Sequence, residues 1–315
     1  MNQRLEHMKN IQPKISVLNK DQILKVHQDS LKVLSHTGIR VDSERARAVF
    51  SEAVGGFDDN LVRIPGEIVE QALQSVPAQI DMYNRDGNLA FSMGGHQPSG
   101  TIYGIGVTNS WYQNPENDSA IPFTRKHVEI ATALGNTLTQ FDLVSTPGVI
   151  QNDDTQMGEV VGTLEMMANT TKPLGILISE PKQFDLALSM LEHLRGNLSQ
   201  KPFVLPYFNP ITPLVLNEDT TDKMFSTIDH GLPFIFSSYG MSGATAPISA
   251  EGTLVMLNAE LLAGLVFSQL IKPGTPVILG SLPSVFEMQN MISAYTSQTM
   301  LVNLACAEMM YHYHI

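Results

Sequence analysis

Six short apolar runs, each opened or closed by Gly or Pro, recur down the chain from about residue 100: TIYGIGVT (101–108), FDLVSTPGV (141–149), KPLGILIS (172–179), KPFVLPYF (201–208), LPFIFSS (232–238) and TPVILGS (275–281). The third, fourth and fifth begin at 172, 201 and 232. That interval of about thirty residues suits one strand plus one crossover helix. Helix-length segments such as DTQMGEVVGTLEMMAN and SAEGTLVMLNAELLAGLVFSQL lie between the runs. Strands apolar along their whole length are buried on both faces, and their alternation with helices specifies a parallel α/β sheet. The expected fold is a (β/α)8 barrel of the TIM type, with a doubly wound sheet as the alternative. A closed barrel takes eight strands. Only six are found, and the terminal YHYHI reads as the opening of a seventh, so the expectation is a barrel truncated after about six strands.

The residues before the barrel read differently. Asp21 can cap a helix over DQILKVHQDSLKVLSHTG, whose Ile23, Leu24, Leu31 and Leu34 recur at helical spacing before Gly38 stops it. A second helix runs from Asp42 or Ser43 through Phe50, and a third starts at Pro65, where the missing N–H costs nothing. IDMYNRDGNLAFSM, with Asp86-Gly87 between two apolar alternations, is a hairpin. The chain thus divides into a helical and hairpin extension, 1–98, and a barrel, 99–315.

Composition removes several classes of function. Hydrophobic residues make up 43% and charged residues 16%, which excludes a disordered chain. The net charge of −12 leaves no basic excess to displace counterions from a phosphate backbone, so nucleic acid is not an expected partner. Apolar stretches are interrupted before reaching spanning length, and no membrane partner is expected. Cys306 is the single cysteine, so neither a disulfide nor a cysteine-based metal site can form within the chain. The first residues lack the apolar run of a signal peptide, and a cytoplasmic location is expected. Sixteen methionines and few charges leave apolar helix faces for a homo-oligomer, although core packing accounts for them equally.

Familiar catalytic motifs are missing. The sequence has no Walker loop, HExxH or G-x-S-x-G, and YGIGVTN lacks the third glycine of a dinucleotide fingerprint. His312 and His314 stand two apart, but histidines at a fraying strand end explain them better than a metal. Asp153 and Asp154 read as an N-terminal helix cap.

A barrel assembles its site where strands end. Those positions are Thr108, Asn109 and Trp111; Thr146; Glu180; Tyr207, Phe208 and Asn209; Ser238, Tyr239, Gly240 and Met241; and Ser281 and Phe286. The collection is aromatic, hydroxyl and amide in character, with one carboxylate and no Lys, His or Arg. Such a lining suits a cation held by ring faces and poorly suits phosphate. Tyr207, Phe208 and Tyr239 are assigned to an ammonium pocket, with Glu180 as a compensating charge or a helix cap. Asn209, Ser238, Ser281 and the backbone N–H groups from Gly240 to Gly243 are candidates to hold a carboxylate.

Two stretches carry a resemblance. SSYGMSGATAPISAEGTLVMLNAELLAGLVFSQLIKPGTPVILGS and VRIPGEIVEQALQSVPAQIDMYNRDGN are similar to the trimethylamine methyltransferase family of corrinoid-dependent enzymes. The SYGMSGATAP turn followed by the NAELLAG helix is the most distinctive portion, and the similarity extends over nearly the whole chain. The resemblance implies a TIM barrel, a methylated amine substrate, and methyl transfer to the cobalt of a separate corrinoid protein, with no cofactor bound tightly by the chain itself. It also implies a longer family chain, with pyrrolysine, in members that carry it, beyond the matched region. SLPSVFEMQN looks closer to the branch lacking pyrrolysine, which favours glycine betaine as substrate. The alternatives are a trimethylamine-specific fragment of the pyrrolysine type, a non-catalytic amine- or betaine-binding barrel, and a lyase or hydrolase using Glu180 as base.

Overall fold

The computed structural model describes residues 15–56, 58–95, 100–106, 108–151 and 157–315; Asp153 and Asp154 lie outside them. Helix α1 (Lys20–Lys32) begins with a capping box: Asn19 accepts the Gln22 N–H, and the Gln22 side chain accepts the Asn19 N–H. The cap therefore falls on Asn19 rather than Asp21, which sits in the first turn, where its carboxylate favours the helix dipole. One wide turn, Val33–Thr37, leads to Gly38, where φ is +79° and a Cβ would stand 2.6 Å from the Val62 carbonyl. Strand β1 (Ile39–Val41) follows, and then α2 (Glu44–Val54), which is capped by Ser43 accepting the Ala46 N–H. β2 (Leu61–Val62) returns antiparallel to β1, and Pro65 introduces α3 (Gly66–Ser75). β3 (Gln79–Tyr83) and β4 (Leu89–Gly94) pair antiparallel across the Asp86-Gly87 turn, the hairpin anticipated from sequence.

The second part alternates strand and helix. β5 (Gly104–Ile105) is followed by a small hairpin, β6 (Trp111–Gln113) and β7 (Ala120–Pro122), which sequence reasoning missed, and by α4 (Arg125–Thr137). Then come β8 (Leu143–Ser145), α5 (Gly158–Asn169), β9 (Leu174–Ile176), α6 (Pro181–Arg195) and β10 (Val204–Phe208). After the short β11 (Val215–Leu216), which pairs with β1, the chain forms α7 (Glu218–Asp229), β12 (Phe234–Ser238), β13 (Met241–Ser242) and α8 (Ala250–Ile271). β14 (Val277–Ser281), a hairpin of β15 (Ser284–Glu287) and β16 (Ile292–Ala294), and α9 (Ser297–Tyr313) complete it. The main sheet runs β5-β8-β9-β10-β12-β14, parallel throughout. These are the six strands read from sequence, in sequence order, curved into a partial barrel.

The expected seventh strand does not exist. YHYHI is the last turn of α9 and its left-handed end at His314. His312 therefore lies on the helix and His314 just past it, where the backbone turns left-handed, and the two are not residues of one strand end. Among the described residues no group of three or more His, Cys, Asp or Glu side chains could hold a metal.

Packing explains the long apolar helix. α8 is long and apolar enough to cross a membrane by length and composition, yet 83% of its most apolar window is buried inside the molecule. The helices α1, α2 and α3 cover one side of it, and one hydrophobic cluster runs from Val26 and Phe50 through Phe267 to Met309. The extension and the barrel therefore share a core. The β3–β4 hairpin makes a second cluster: Ile80 and Met82 pack on Leu205, Ile235 and Ile278. Its backbone is tied to the starts of the barrel strands, with Tyr83 N–H donating to Pro202 O at 2.8 Å and Arg85 N–H to Thr171 O at 2.8 Å. The hairpin floors the barrel at the N-terminal ends of the strands.

Candidate functional site

Side chains alternate across a strand, so Leu205, Tyr207 and Asn209 point to one side of the sheet while Phe208 points to the other. On the concave side these residues, with Ile235 and Tyr239, meet Gly104, Gly106, Thr108, Leu143, Ser145, Gly175, Leu177 and Leu282 around a cavity of about 670 Å³. Leu205 and Ile235, at its depth, rest on the hairpin floor. Asn209, Tyr239 and Leu282, at its mouth, follow the C-terminal ends of β10, β12 and β14. Three glycines, Gly104, Gly106 and Gly175, strip side chains from the part of the wall formed by β5 and β9. A Cβ on Gly106 would stand 2.2 Å from the Ser145 carbonyl. No charged side chain lines the cavity among the described residues.

Of the residues expected at the site, the structure brings Tyr207, Asn209 and Tyr239 together, with Thr108 beside them. Asn209 is fixed by donating its side-chain N–H to Ser237 O at 2.8 Å. The Tyr239 hydroxyl lies 2.9 Å from Ser293 Oγ on β16. Burial alone would push its phenol up, but the hydroxyls of Ser284, Ser293 and Tyr295 outweigh that and hold it below the ordinary tyrosine value.

The others are elsewhere. Phe208 is 2% exposed on the convex side, edge-on to Phe184 at 5.7 Å between ring centroids and 5.5 Å from Phe234, so it belongs to the sheet–helix core and not to an ammonium pocket. Ser238 is fully buried and donates its hydroxyl to Glu260. Ser281 turns toward α9, 3.5 Å from Asn303 Oδ1. Gly240 is wedged against Leu257 and gives its carbonyl to the Ser284 N–H at 2.9 Å. The neighbouring N–H groups are used by the turn itself: Met241 donates to Thr245 Oγ1 and Gly243 to Ala246 O, both at 3.0 Å. The carboxylate seat expected from these groups is not assembled. Glu180 is exposed at the start of α6 and outside the cavity, so it provides neither a countercharge nor a base there. Its own N–H donates to Glu159 Oε2 at 3.3 Å. Trp111 is 64% exposed on β6, Asn109 donates to Pro147 O, and the Thr146 hydroxyl bridges β8 to β9 by accepting the Leu177 N–H. Met241 and Phe286 are half-buried in the small sheet beside the mouth.

Sequence reasoning missed Glu260, which accepts hydrogen bonds from Thr212 Oγ1 at 2.9 Å, Leu214 N at 2.6 Å and Ser238 Oγ. Burial, opposed by these donors, raises its carboxyl above the ordinary glutamate value. The signal was present in the chain: it is the one carboxylate in the otherwise uncharged run TLVMLNAELLAGLVF. It ties the loop after β10 to the end of β12, behind the cavity wall.

Comparison with known proteins fits this arrangement. The family model for trimethylamine methyltransferase (MTTB) matches residues 1–315. The chain belongs to the trimethylamine methyltransferase family. Its relatives include the trimethylamine methyltransferase MttB of Desulfitobacterium hafniense, 28% identical over 303 residues, covering 94% of this chain and 60% of that protein. A glycine betaine methyltransferase of Desulfitobacterium hafniense is 27% identical over 297 residues, covering 88% and 58%. The chain thus spans about 60% of the length of these relatives. Among solved structures, the monomethylamine methyltransferase MtmB of Methanosarcina barkeri superposes with a TM-score of 0.54 at 10% identity, over 92% of this chain and 64% of that one. That likeness concerns the fold alone.

Proposed function

We propose that the cavity holds the positively charged nitrogen of a methylated amine and presents one N-methyl group for transfer to a corrinoid protein. The observation that carries this reading is the cavity wall. Two phenol rings, hydroxyls, one amide and aliphatic surface surround about 670 Å³ without a single charged side chain among the described residues. Ring faces attract a fixed cation, and desolvation strengthens that attraction. When a quaternary amine loses a methyl, the C–N bond breaks with its electron pair staying on nitrogen, and the product is a neutral tertiary amine. No proton has to be delivered, so a wall without an acid or base is sufficient.

The residues then have physical tasks. Tyr207 and Tyr239 hold the ammonium, Leu143, Leu177 and Ile235 exclude water, and the floor hairpin closes the far end. A reduced cobalt corrinoid on a separate protein would supply the electron pair that takes the methyl. Gly104, Gly106 and Gly175 leave their part of the wall without side chains, because a Cβ there would press on Leu143 or Ser145. Full countercharge in the wall would oppose the reaction, because positive charge on nitrogen disappears as the methyl leaves. Glycine betaine, the substrate favoured by the sequence reading, also carries a carboxylate. Of the groups expected to hold it, only Asn209 faces the cavity. This wall therefore recognises the ammonium end, which trimethylamine and glycine betaine share once the former is protonated. A cytoplasmic location belongs to the same reading.

The test is to mix the chain with trimethylamine or glycine betaine and a reduced corrinoid protein, and to follow loss of N-methyl signal by NMR. Transfer is expected, slowed at least about tenfold in Tyr207→Ala and in Tyr239→Ala. Binding without transfer would favour the non-catalytic amine-binding barrel. Intact amines with no binding would remove the proposal.

A further inference from the structure

The polar end of the Tyr239 ring is held by a different layer of the molecule. β12 places its ring in the wall. The segment just after it, β13, pairs parallel with β15 (Met241↔Ser284, Ser242↔Val285). β15 turns back into β16, with Phe286 opposite Ser293. The near strand of this hairpin is thus fastened by backbone, including Ser284 N–H to Gly240 O at 2.9 Å and Leu282 N–H to Ser238 O at 3.0 Å. The far strand reaches the cavity wall through a side chain: Ser293 Oγ, 2.9 Å from the Tyr239 hydroxyl. The hairpin tip is apolar and exposed, with Met288 at 77% and Met291 at 71%. Tip packing therefore does not fix it.

We infer that Ser293 is a positioning residue for the cavity: its hydroxyl fixes the Tyr239 ring and straps the 284–294 hairpin to the mouth. This rests on the amine-binding reading for its ligand but not for its geometry. A phenol ring attracts a cation only within a narrow range of distance and tilt, so a ring free to rotate about its side-chain torsions contributes less on average. The strap also explains why a serine occupies a strand position whose neighbours Ile292 and Ala294 are apolar.

The experiment compares the wild-type chain with Ser293→Ala, Ser293→Thr, Tyr239→Phe and the Ser293→Ala/Tyr239→Phe double variant. Affinity for tetramethylammonium is measured by titration calorimetry, and deuterium uptake over residues 284–294 by mass spectrometry. One lost hydrogen bond of this kind predicts a Kd weaker by about three- to tenfold in Ser293→Ala. Tyr239→Phe, which keeps the ring but also gives up the Ser284 and Tyr295 hydroxyl contacts, is expected to weaken binding at least as much, the double variant no further than Tyr239→Phe alone, and Ser293→Thr is expected to restore it. Uptake over 284–294 should rise in the same three variants and not in Ser293→Thr. If the wild-type chain fails to bind tetramethylammonium, the amine reading falls while the uptake pattern still decides the strap. Unchanged uptake in Ser293→Ala and Tyr239→Phe, or additive losses in the double variant, would overturn the inference.

Discussion

At the scale of single residues, the decisive physics is the two-residue period of a strand. Tyr207, Phe208 and Asn209 are consecutive, all of suitable type, and all at a strand end, yet only the first and third reach the cavity. Residue type and position were legible in the sequence; the side each faces was not, because a strand apolar on both faces gives no alternation to read. The same ambiguity sent Ser238 and Ser281 to the helix side, where one meets Glu260 and the other faces α9. Cys306 gives a direct check of this outward layer. It lies on the buried face of α9, 1% exposed, and burial pushes its thiol up to about 11. At about pH 8 a folded chain is therefore expected to react with a thiol reagent far more slowly than the same chain in denaturant. Equal rates in the two states would mean that α9 is not packed on β14 as described.

At the scale of elements, the six barrel strands and the first three helices were readable because Gly, Pro and capping residues punctuate them. The β6–β7 and β15–β16 hairpins were not. Their strands have three or four residues, too short for a period to show, and their loops lack the two-residue Asn-Gly or Asp-Gly signature that marked the floor hairpin. YHYHI was misread because alternating aromatic and polar residues mimic a strand, whereas the preceding run from Ser297 had already committed the backbone to helix. The NAELLAG helix offers the sharpest element-scale prediction. Gly264 lies on α8 where it crosses β12, and a Cβ there would stand 2.3 Å from the ring of Phe236, itself fully buried. Gly264→Ala raises intrinsic helix propensity, so on an isolated helix it would stabilise. Here overpacking is expected to win and to cost about 1–3 kcal/mol. Chemical denaturation of the variant measures this, and a gain in stability would show that the helix and sheet do not approach so closely.

At the scale of the whole molecule, three layers cooperate. Helices cover the convex face of a parallel sheet, the N-terminal hairpin floors the concave face, and the hairpin after β14 borders the mouth. What remains is an uncharged, ring-bearing cavity in a protein whose net charge is −12. Long-range attraction for cations comes from that overall charge and is screened by salt; selection at the site comes from Tyr207 and Tyr239 at contact distance. The central claim is that these two rings recognise charge rather than shape. Titration with choline and with 3,3-dimethylbutan-1-ol, which replaces the trimethylammonium group by an uncharged group of the same outline, separates the two directly. Choline is expected to bind about tenfold or more tightly than the alcohol, with the preference lost in the Tyr207→Ala/Tyr239→Ala chain. Equal affinity for the two compounds, or a preference that survives removal of both rings, would contradict the account.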